Sequence, residues 1–335
     1  ILVMIEIKEL KNIIYKKFLD LNVNSSVAQD VTKSLVRATA RGINSHGINL
    51  LYHYGQSIIS ERKNGNPNYK INSKYPAALS LDADHAFGAS AGYEAIRRTR
   101  KIVDKYGIAS IGVYNSTHCA SMSSIALNAV EDGNICFAFT HADSLMKSPD
   151  VKTALFGTNP ICIAAPGISV NEPICLDMAT TKISWNKLKN YLSDNNDLPS
   201  SVAADIDGKE VVDPKKATSL LPIGDYKGFA LASMIDLFCG VLLGMNYGKN
   251  IPSMYKTDIK TKRFLGQFYI ILKPDFFLKK EKYNTVIKEF VGMINENKIS
   301  KYPGQIENEN EIKNLKKGLK LNDIENRSLA NFLKL

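Results

Sequence analysis

The sequence predicts an α/β fold flanked by helical chain ends, and three observations carry that prediction. Short apolar segments alternate with amphipathic ones between residues 77 and 140, and both ends of the chain show helical spacing. No G-x-G-x-x-G follows any of the expected strands and no G-x-x-x-x-G-K-[ST] occurs, so a standard Rossmann or P-loop nucleotide site is not expected.

Taken in order, Leu10, Ile13, Ile14 and Phe18 form the apolar face of a first helix. After an Asn24-Ser25-Ser26 cap, Val27, Val31, Leu35 and Val36 form that of a second. A third helix is expected from Ile48 to about Glu61, ended by Gly65 to Pro67. Strands are expected at Ala78–Asp82, Ile108–Tyr114 and Asn134–Thr140, with helices at Gly92–Tyr106 and Ser121–Glu131 between them. The middle of the chain is dense in turn residues, and Asp205–Lys209 reads as a hairpin tip.

Pro222 to Gly228 opens the longest apolar stretch, Gly228–Met245. Ser233 and Asp236 interrupt it, so it reads as a buried helix and not a membrane span. A strand at Gln267–Leu272 and a long polar helix at about Leu278–Asn297 follow. Pro303-Gly304 is a tight turn, and Glu309–Leu335 is helical and amphipathic, packing back on the N-terminal helices. No internal repeat or low-complexity linker is present.

Composition narrows the function classes. With 335 residues, 44% hydrophobic and 23% charged, the chain has the make-up of an ordinary soluble globular protein. The net charge of +10 is spread over scattered lysines without aromatic interleaving, which is a solvated surface and not a nucleic-acid face. Five cysteines, none in CxxC and most within apolar runs, imply reduced buried thiols in a cytoplasmic protein and no metal site. The start, Ile1 to Ile7, lacks a basic n-region and is not expected to be a signal peptide.

Chemistry concentrates in Ala40–Tyr54, which holds Ser45-His46-Gly47. As a site, the hydroxyl orients one ring nitrogen of His46 and the glycine lets a ligand approach, an arrangement suited to proton transfer. As plain structure, Asn44–Gly47 is a turn between helices with an exposed histidine. Lys227 beside Gly228 likewise is either a phosphate seat with free backbone donors or an ordinary helix start.

Taken together, several islands resemble the malate/L-lactate dehydrogenase family of the second type. They are Gly42–Gly47, Asn115–His118, Gly157–Ile161, Asp177–Thr181, Leu221-Pro222, Tyr226–Gly228 and Pro303-Gly304, all in the family's order from about residue 8 to the end. The resemblance implies a non-Rossmann, sulfolactate-dehydrogenase-like α/β fold: a dinucleotide-binding domain over 76–277 beside a helical, substrate-binding and dimerisation domain over 1–75 with 278–335. It implies a homodimer that uses NAD or NADP to interconvert a 2-hydroxy acid and a 2-oxo or 2-imino acid. By the same likeness His46 and His118 are the catalytic pair, without choosing between them. Ser45, Tyr54 and Arg263 line the substrate, and Asp177, Ala179, Thr180, Thr181, Lys227, Gly228, Pro303, Gly304 and Gln305 hold the cofactor; no metal, nucleic acid or membrane is involved.

The chain also departs from that pattern. Where the family carries an arginine suited to a substrate carboxylate, this chain has Leu50, and Asn186, Cys119-Ala120 and Gln305 are milder changes. Either Arg41 or Arg263 supplies the missing cation, or the substrate lacks a free carboxylate, as in a sugar derivative. Simple 2-oxo acids are therefore expected to bind poorly, and an arginine at position 50 to improve them. A catalytically silent, basic binding protein is the reading of a different class, against which both histidines speak.

Overall fold

The computed structural model describes residues 4–148, 151–297 and 299–335; of the Ile1–Ile7 start, residues 1–3 lie outside the described residues. A two-residue strand β1 (Met4–Ile5) leads into helices α1 (Ile7–Asp20) and α2 (Ser25–Ala40). Asn24 caps α2 by accepting the Val27 N–H at 2.9 Å, as its side chain predicts. Two single 3₁₀ turns, Asn44–His46 and Ile48–Leu50, then feed α3 (Leu51–Ile59).

The α/β part contains β2 (Lys70–Tyr75), β3 (Ala78–Asp82), α4 (Gly88–Tyr106), β4 (Ile108–Ser116), α5 (Met122–Glu131) and β5 (Ile135–Thr140). It continues through β6 (Met146–Lys147), β7 (Ala154–Phe156), β8 (Ile161–Ala165), β9 (Ile174–Met178), α6 (Trp185–Ser193), β10 (Ala203–Ala204) and β11 (Ser219–Leu220). After α7 (Tyr226–Asp236) comes β12 (Leu265–Leu272), which enters the middle of the main sheet. The chain closes with α8 (Lys280–Asn295), α9 (Gln305–Lys317), β13 (Leu319–Lys320) and α10 (Asp323–Lys334).

Seven strands form the main sheet in the order β2-β3-β4-β12-β5-β8-β9, with β3 and β4 parallel and the other neighbours antiparallel. β10, β11, β6 and β7 make a smaller sheet, and β1 pairs with β13, stitching the two chain ends together. One apolar core lies between the main sheet and α4 and α5; a second fills the space among α1, α2, α3 and α10. In the second core Phe18 meets Phe87 and Phe332 at centroid distances of 5.6 and 4.9 Å, contacts of about 0.5–1.5 kcal/mol each beyond area burial.

Beyond β6 to β9 and α6, which the turn-rich middle of the chain concealed, the elements differ from expectation in three places. β2 was not anticipated: K-I-N-S-K-Y is a polar, exposed edge strand, and its lysines discourage pairing with another sheet while erasing the apolar alternation that marks a strand. The Gly228–Met245 stretch is not a buried helix. α7 stops at Asp236, whose buried carboxylate is anchored to His141, and a π-helical turn at Leu237–Val241 follows, leaving Met234, Leu237, Val241 and Leu242 exposed. The last helical stretch is two helices, split at Gly318, whose φ of +82° favours glycine and allows β13 to reach β1.

Candidate active site

Three loops meet at the edge of the main sheet. The Thr180 N–H bonds the Thr158 carbonyl at 2.9 Å and the Ile223 N–H bonds the Thr180 carbonyl at 3.0 Å. The Gly157–Pro160, Asp177–Thr181 and Pro222–Gly228 islands are thereby fastened to one another. Pro303-Gly304 docks beside them, its Pro303 carbonyl accepting the Cys175 N–H at 2.8 Å. Between these loops and the Ser-His-Gly turn lies a cavity of about 820 Å³, lined among others by Ser45, His46, Asp177, Ala179, Thr181 and Gly304. A smaller one of about 80 Å³ adjoins it, lined by His46, His118, Asp143, Trp185, Asn186 and Tyr255 among others. His46 belongs to both walls.

The two histidines face each other as stacked rings with centroids 5.8 Å apart. Ser45 Oγ lies 2.8 Å from His46 Nδ1 and Tyr54 Oη 2.8 Å from His118 Nδ1, so each ring is oriented through Nδ1 and presents Nε2 to the cavities. Burial pushes the His46 imidazole below its ordinary range, partly opposed by the Asp177 carboxylate. The His118 imidazole is pushed down much further, by burial first and then by the positive charges of His46, Lys63, Arg263 and His53. Both rings are therefore neutral bases at neutral pH.

The local reasons for this geometry differ from what the sequence suggested. Gly47 is required by packing and not by ligand approach: a Cβ there would stand 2.2 Å from Thr39 Oγ1, the atom that accepts the Ile48 N–H. Asn186, one of the departures, donates to the Ser45 carbonyl at 2.7 Å and ties the start of α6 to the histidine turn. Ala120 sits at φ +59°, a left-handed conformation that costs a non-glycine residue about 1–2 kcal/mol, which explains why glycine suits that position in the family pattern.

The remaining expected residues divide. Asp177 accepts from the Ser123 N–H at 2.7 Å and from Ser121 Oγ at 3.2 Å, which holds its carboxylate at the start of α5. The Thr180 hydroxyl is buried on the Thr158 and Asn159 carbonyls. Gly228 is needed because a Cβ would meet the Ile223 carbonyl oxygen at 2.3 Å, and the N–H groups of Lys227 and Gly228 already bond Gly224 and Ile223. The free backbone donors expected there are thus consumed within the turn. Lys227, Gly228 and Gln305 do not line the large cavity; Gln305 bonds Glu309 and the Tyr302 N–H instead.

Neither proposed replacement for the missing arginine is free. Arg41 is buried on Asn308 and Glu311, and Arg263 is buried on Asp143 and the Pro252 carbonyl. Leu50 is 2% exposed within the helical core and lines neither cavity. A guanidinium placed there has to leave an apolar cluster, and the resulting loss of stability competes with any gain in substrate binding. Sequence reasoning missed Lys63, Thr117, Asp143 and Tyr255. Lys63 stands in the polar run Ser60–Pro67, whose only sequence signal was a helix end.

The malate/L-lactate dehydrogenase family profile matches residues 5–330. The chain belongs to that family. It is 31% identical over 286 residues to the ureidoglycolate dehydrogenase (NAD(+)) of Escherichia coli K12, covering 85% of this chain and 81% of that one. It is 28% identical over 307 residues to the L-sulfolactate dehydrogenase of Methanocaldococcus jannaschii, covering 90% and 87%. A solved sulfolactate dehydrogenase from that organism superposes with a TM-score of 0.89 at 25% identity, over 99% of this chain and 98% of the other. A malate dehydrogenase structure from Entamoeba histolytica, at 24% identity and a TM-score of 0.91 over 99% and 98%, shares the fold. The family makes this chain a dehydrogenase acting on CH–OH groups with a nicotinamide cofactor. Among the described residues no helix is long and apolar enough to cross a membrane.

Proposed function

We propose that the protein interconverts a small 2-hydroxy acid and the matching 2-oxo acid, or a related carbonyl or imino compound, at the small cavity, with NAD or NADP lying in the large one. The observation that carries this is that His46 lines both cavities and His118 faces it from the smaller one, each ring anchored at Nδ1. The large cavity fits a dinucleotide in size, in its apolar Met122, Leu176 and Ile223 lining, and in the Lys182 and Lys187 cations near its entrance. Ala179, Thr181, Pro303 and Gly304 would hold the dinucleotide there, with Asp177, Thr180 and Gly228 fixing the turns and Lys227 and Gln305 outside the wall.

Bound nicotinamide supplies the hydride acceptor for oxidation and the donor for reduction. The chain supplies the proton chemistry: one imidazole takes the hydroxyl proton while the other hydrogen-bonds the same substrate oxygen, and both are neutral as that role requires. Ser45 and Tyr54 hold the two rings in register. Arg263 serves indirectly, fixing Asp143 in the cavity wall. Among the described residues no arginine lines the small cavity, and Lys256 is the cation in its wall that could meet a substrate carboxylate.

A helical part (1–75 with 278–335) and a dinucleotide-binding part (76–277) form the proposed division, supported by the separate helical and sheet cores. A homodimer is supported by the exposed apolar side chains after α7 and on α8, including Val241, Leu242, Phe290 and Met293. A cytoplasmic location is supported by five buried free cysteines.

Fluorescence titration with NADH and NADPH, followed by turnover on a panel of oxo acids and neutral carbonyl compounds, tests the proposal. Binding of one reduced cofactor is expected, and Lys227→Ala, whose side chain stands outside the cavity wall, tests the phosphate contact that the sequence suggested there. Titrations unchanged in that variant would remove Lys227 from the cofactor site.

A further inference from the structure

The chain places a buried lysine against the proton-transfer pair. Lys63 is 4% exposed, and among the described residues no carboxylate forms an ion pair with it. Its neighbour Arg62 is fully used by the carbonyls of Met254, Asp258 and Ile259. Lys63 instead donates to Thr117 Oγ1 at 2.8 Å and stands 4.5 Å from the Tyr54 ring centroid and 5.5 Å from that of Phe87.

This seat is complementary to an ammonium. The Thr117 hydroxyl gives its own proton to the Ala86 carbonyl at 2.8 Å, so it can only accept from Lys63. The Nζ otherwise stands over two aromatic rings, and among the described residues no group donates a hydrogen bond to it. Tyr54 in turn touches His118 twice: Oη is 2.8 Å from Nδ1 and 3.1 Å from the His118 carbonyl oxygen. The Ala120 N–H also donates to His118 Nδ1, at 3.4 Å, so the ring is held through Nδ1 from two sides and Nε2 is the nitrogen left to a substrate.

We propose that Lys63 is a positioning residue of this site, its ammonium braced by Thr117 and seated on the Tyr54 ring so that it keeps His118 neutral, with Nε2 left to the substrate. The inference rests on the proton-transfer role proposed above for His118. The other groups acting on His118 are accounted for. His46 and His53 are themselves depressed imidazoles, Arg263 is neutralised by Asp143, Asp177 faces His46, and the Tyr54 and Tyr255 phenols stay protonated. Lys63 is the cation among them with no counter-ion, and burial with the charges of Arg263 and Arg62 already works against it.

The test is an NMR titration of ¹⁵N-histidine-labelled full-length protein from pH 8 to pH 4, comparing wild type, Lys63→Met and Lys63→Arg. Removing a unit charge one side chain away from the ring, at an effective dielectric near 20, should raise the His118 midpoint by about one pH unit, while Lys63→Arg keeps the wild-type value. The pH profile of kcat/KM for alcohol oxidation should move with it. An unchanged His118 titration in folded Lys63→Met overturns the proposal and leaves Lys63 a structural brace. Lys63→Gln, which retains a donor for Thr117, replaces methionine if that variant does not fold. In the wild type, a Lys63 side chain found as a neutral amine at pH 7 by its ¹⁵Nζ shift also overturns it. A shifted His118 titration in a protein that turns over no carbonyl substrate would sustain the role of Lys63 and sink the proposed function.

Discussion

Two buried histidine arrangements in this protein use the same chemistry to opposite ends. His141 donates through Nδ1 to Asp236 at 2.7 Å and accepts the Gly266 N–H on Nε2 at 2.8 Å, while the other Asp236 oxygen accepts the Gly248 N–H at 2.8 Å. Every polar atom is consumed, and the pair locks β5, α7 and β12 together. His46 and His118 have only Nδ1 engaged, by Ser45 and by Tyr54 with the Ala120 N–H, and leave Nε2 at a cavity. A buried imidazole with both nitrogens spent is a rivet; one with a nitrogen left over is a tool.

The largest expected effect breaks the rivet. Asp236→Ala orphans the His141 Nδ1–H and the Gly248 N–H, at about 1–3 kcal/mol each, so a loss of roughly 2–6 kcal/mol is expected in urea unfolding. The Michaelis constants of the molecules that remain folded should hold. Full stability with lost turnover would erase the distinction between the two arrangements.

Next, His46→Ala and His118→Ala should each lower turnover by about a hundredfold or more, equivalent to about 2.7 kcal/mol, with stability and cofactor titrations nearly unchanged. Wild-type turnover in either variant clears that ring of a catalytic role, and loss of cofactor binding in both would place the pair in the wrong cavity.

A graded effect concerns acid. His53, pushed down to about 3 by burial and by Lys63, Arg62 and Arg263, joins His46 and His118 as an imidazole whose native value lies below its unfolded one. Between about pH 6.5 and the native values the unfolded chain takes protons that the native chain refuses. Stability present above pH 6.5 is therefore lost as the pH falls, by about 1.4 kcal/mol per pH unit for each such ring. Urea midpoints measured from pH 7 to pH 5 check the slope, and His53→Gln should make it shallower; a midpoint that rises on acidification contradicts the buried neutral state.

Much of the fold and part of the site were legible in the chain. Apolar spacing located α1, α2, α5 and β12 closely, because each buries one or both faces and must show it. It missed β2, an exposed edge strand with no face to hide, and misjudged α7, whose apolar residues turn outward. His46, His118 and the turn islands were visible because hydroxyl, imidazole and glycine at fixed spacing are uncommon for packing alone.

By itself the sequence determined the family, the order of helices and strands, and which residues could carry a proton. Only the tertiary structure decided which of them do so together. His46 and His118 lie 72 positions apart in the chain, yet their ring centroids are 5.8 Å apart. Lys63, unremarkable in a polar run, becomes a buried amine because α3 ends against Thr117 and Phe87. Local spacing encodes which face of an element is apolar, whereas burial and the charges crowded around a group arise from distant segments brought to one place, and it is these that set its proton affinity.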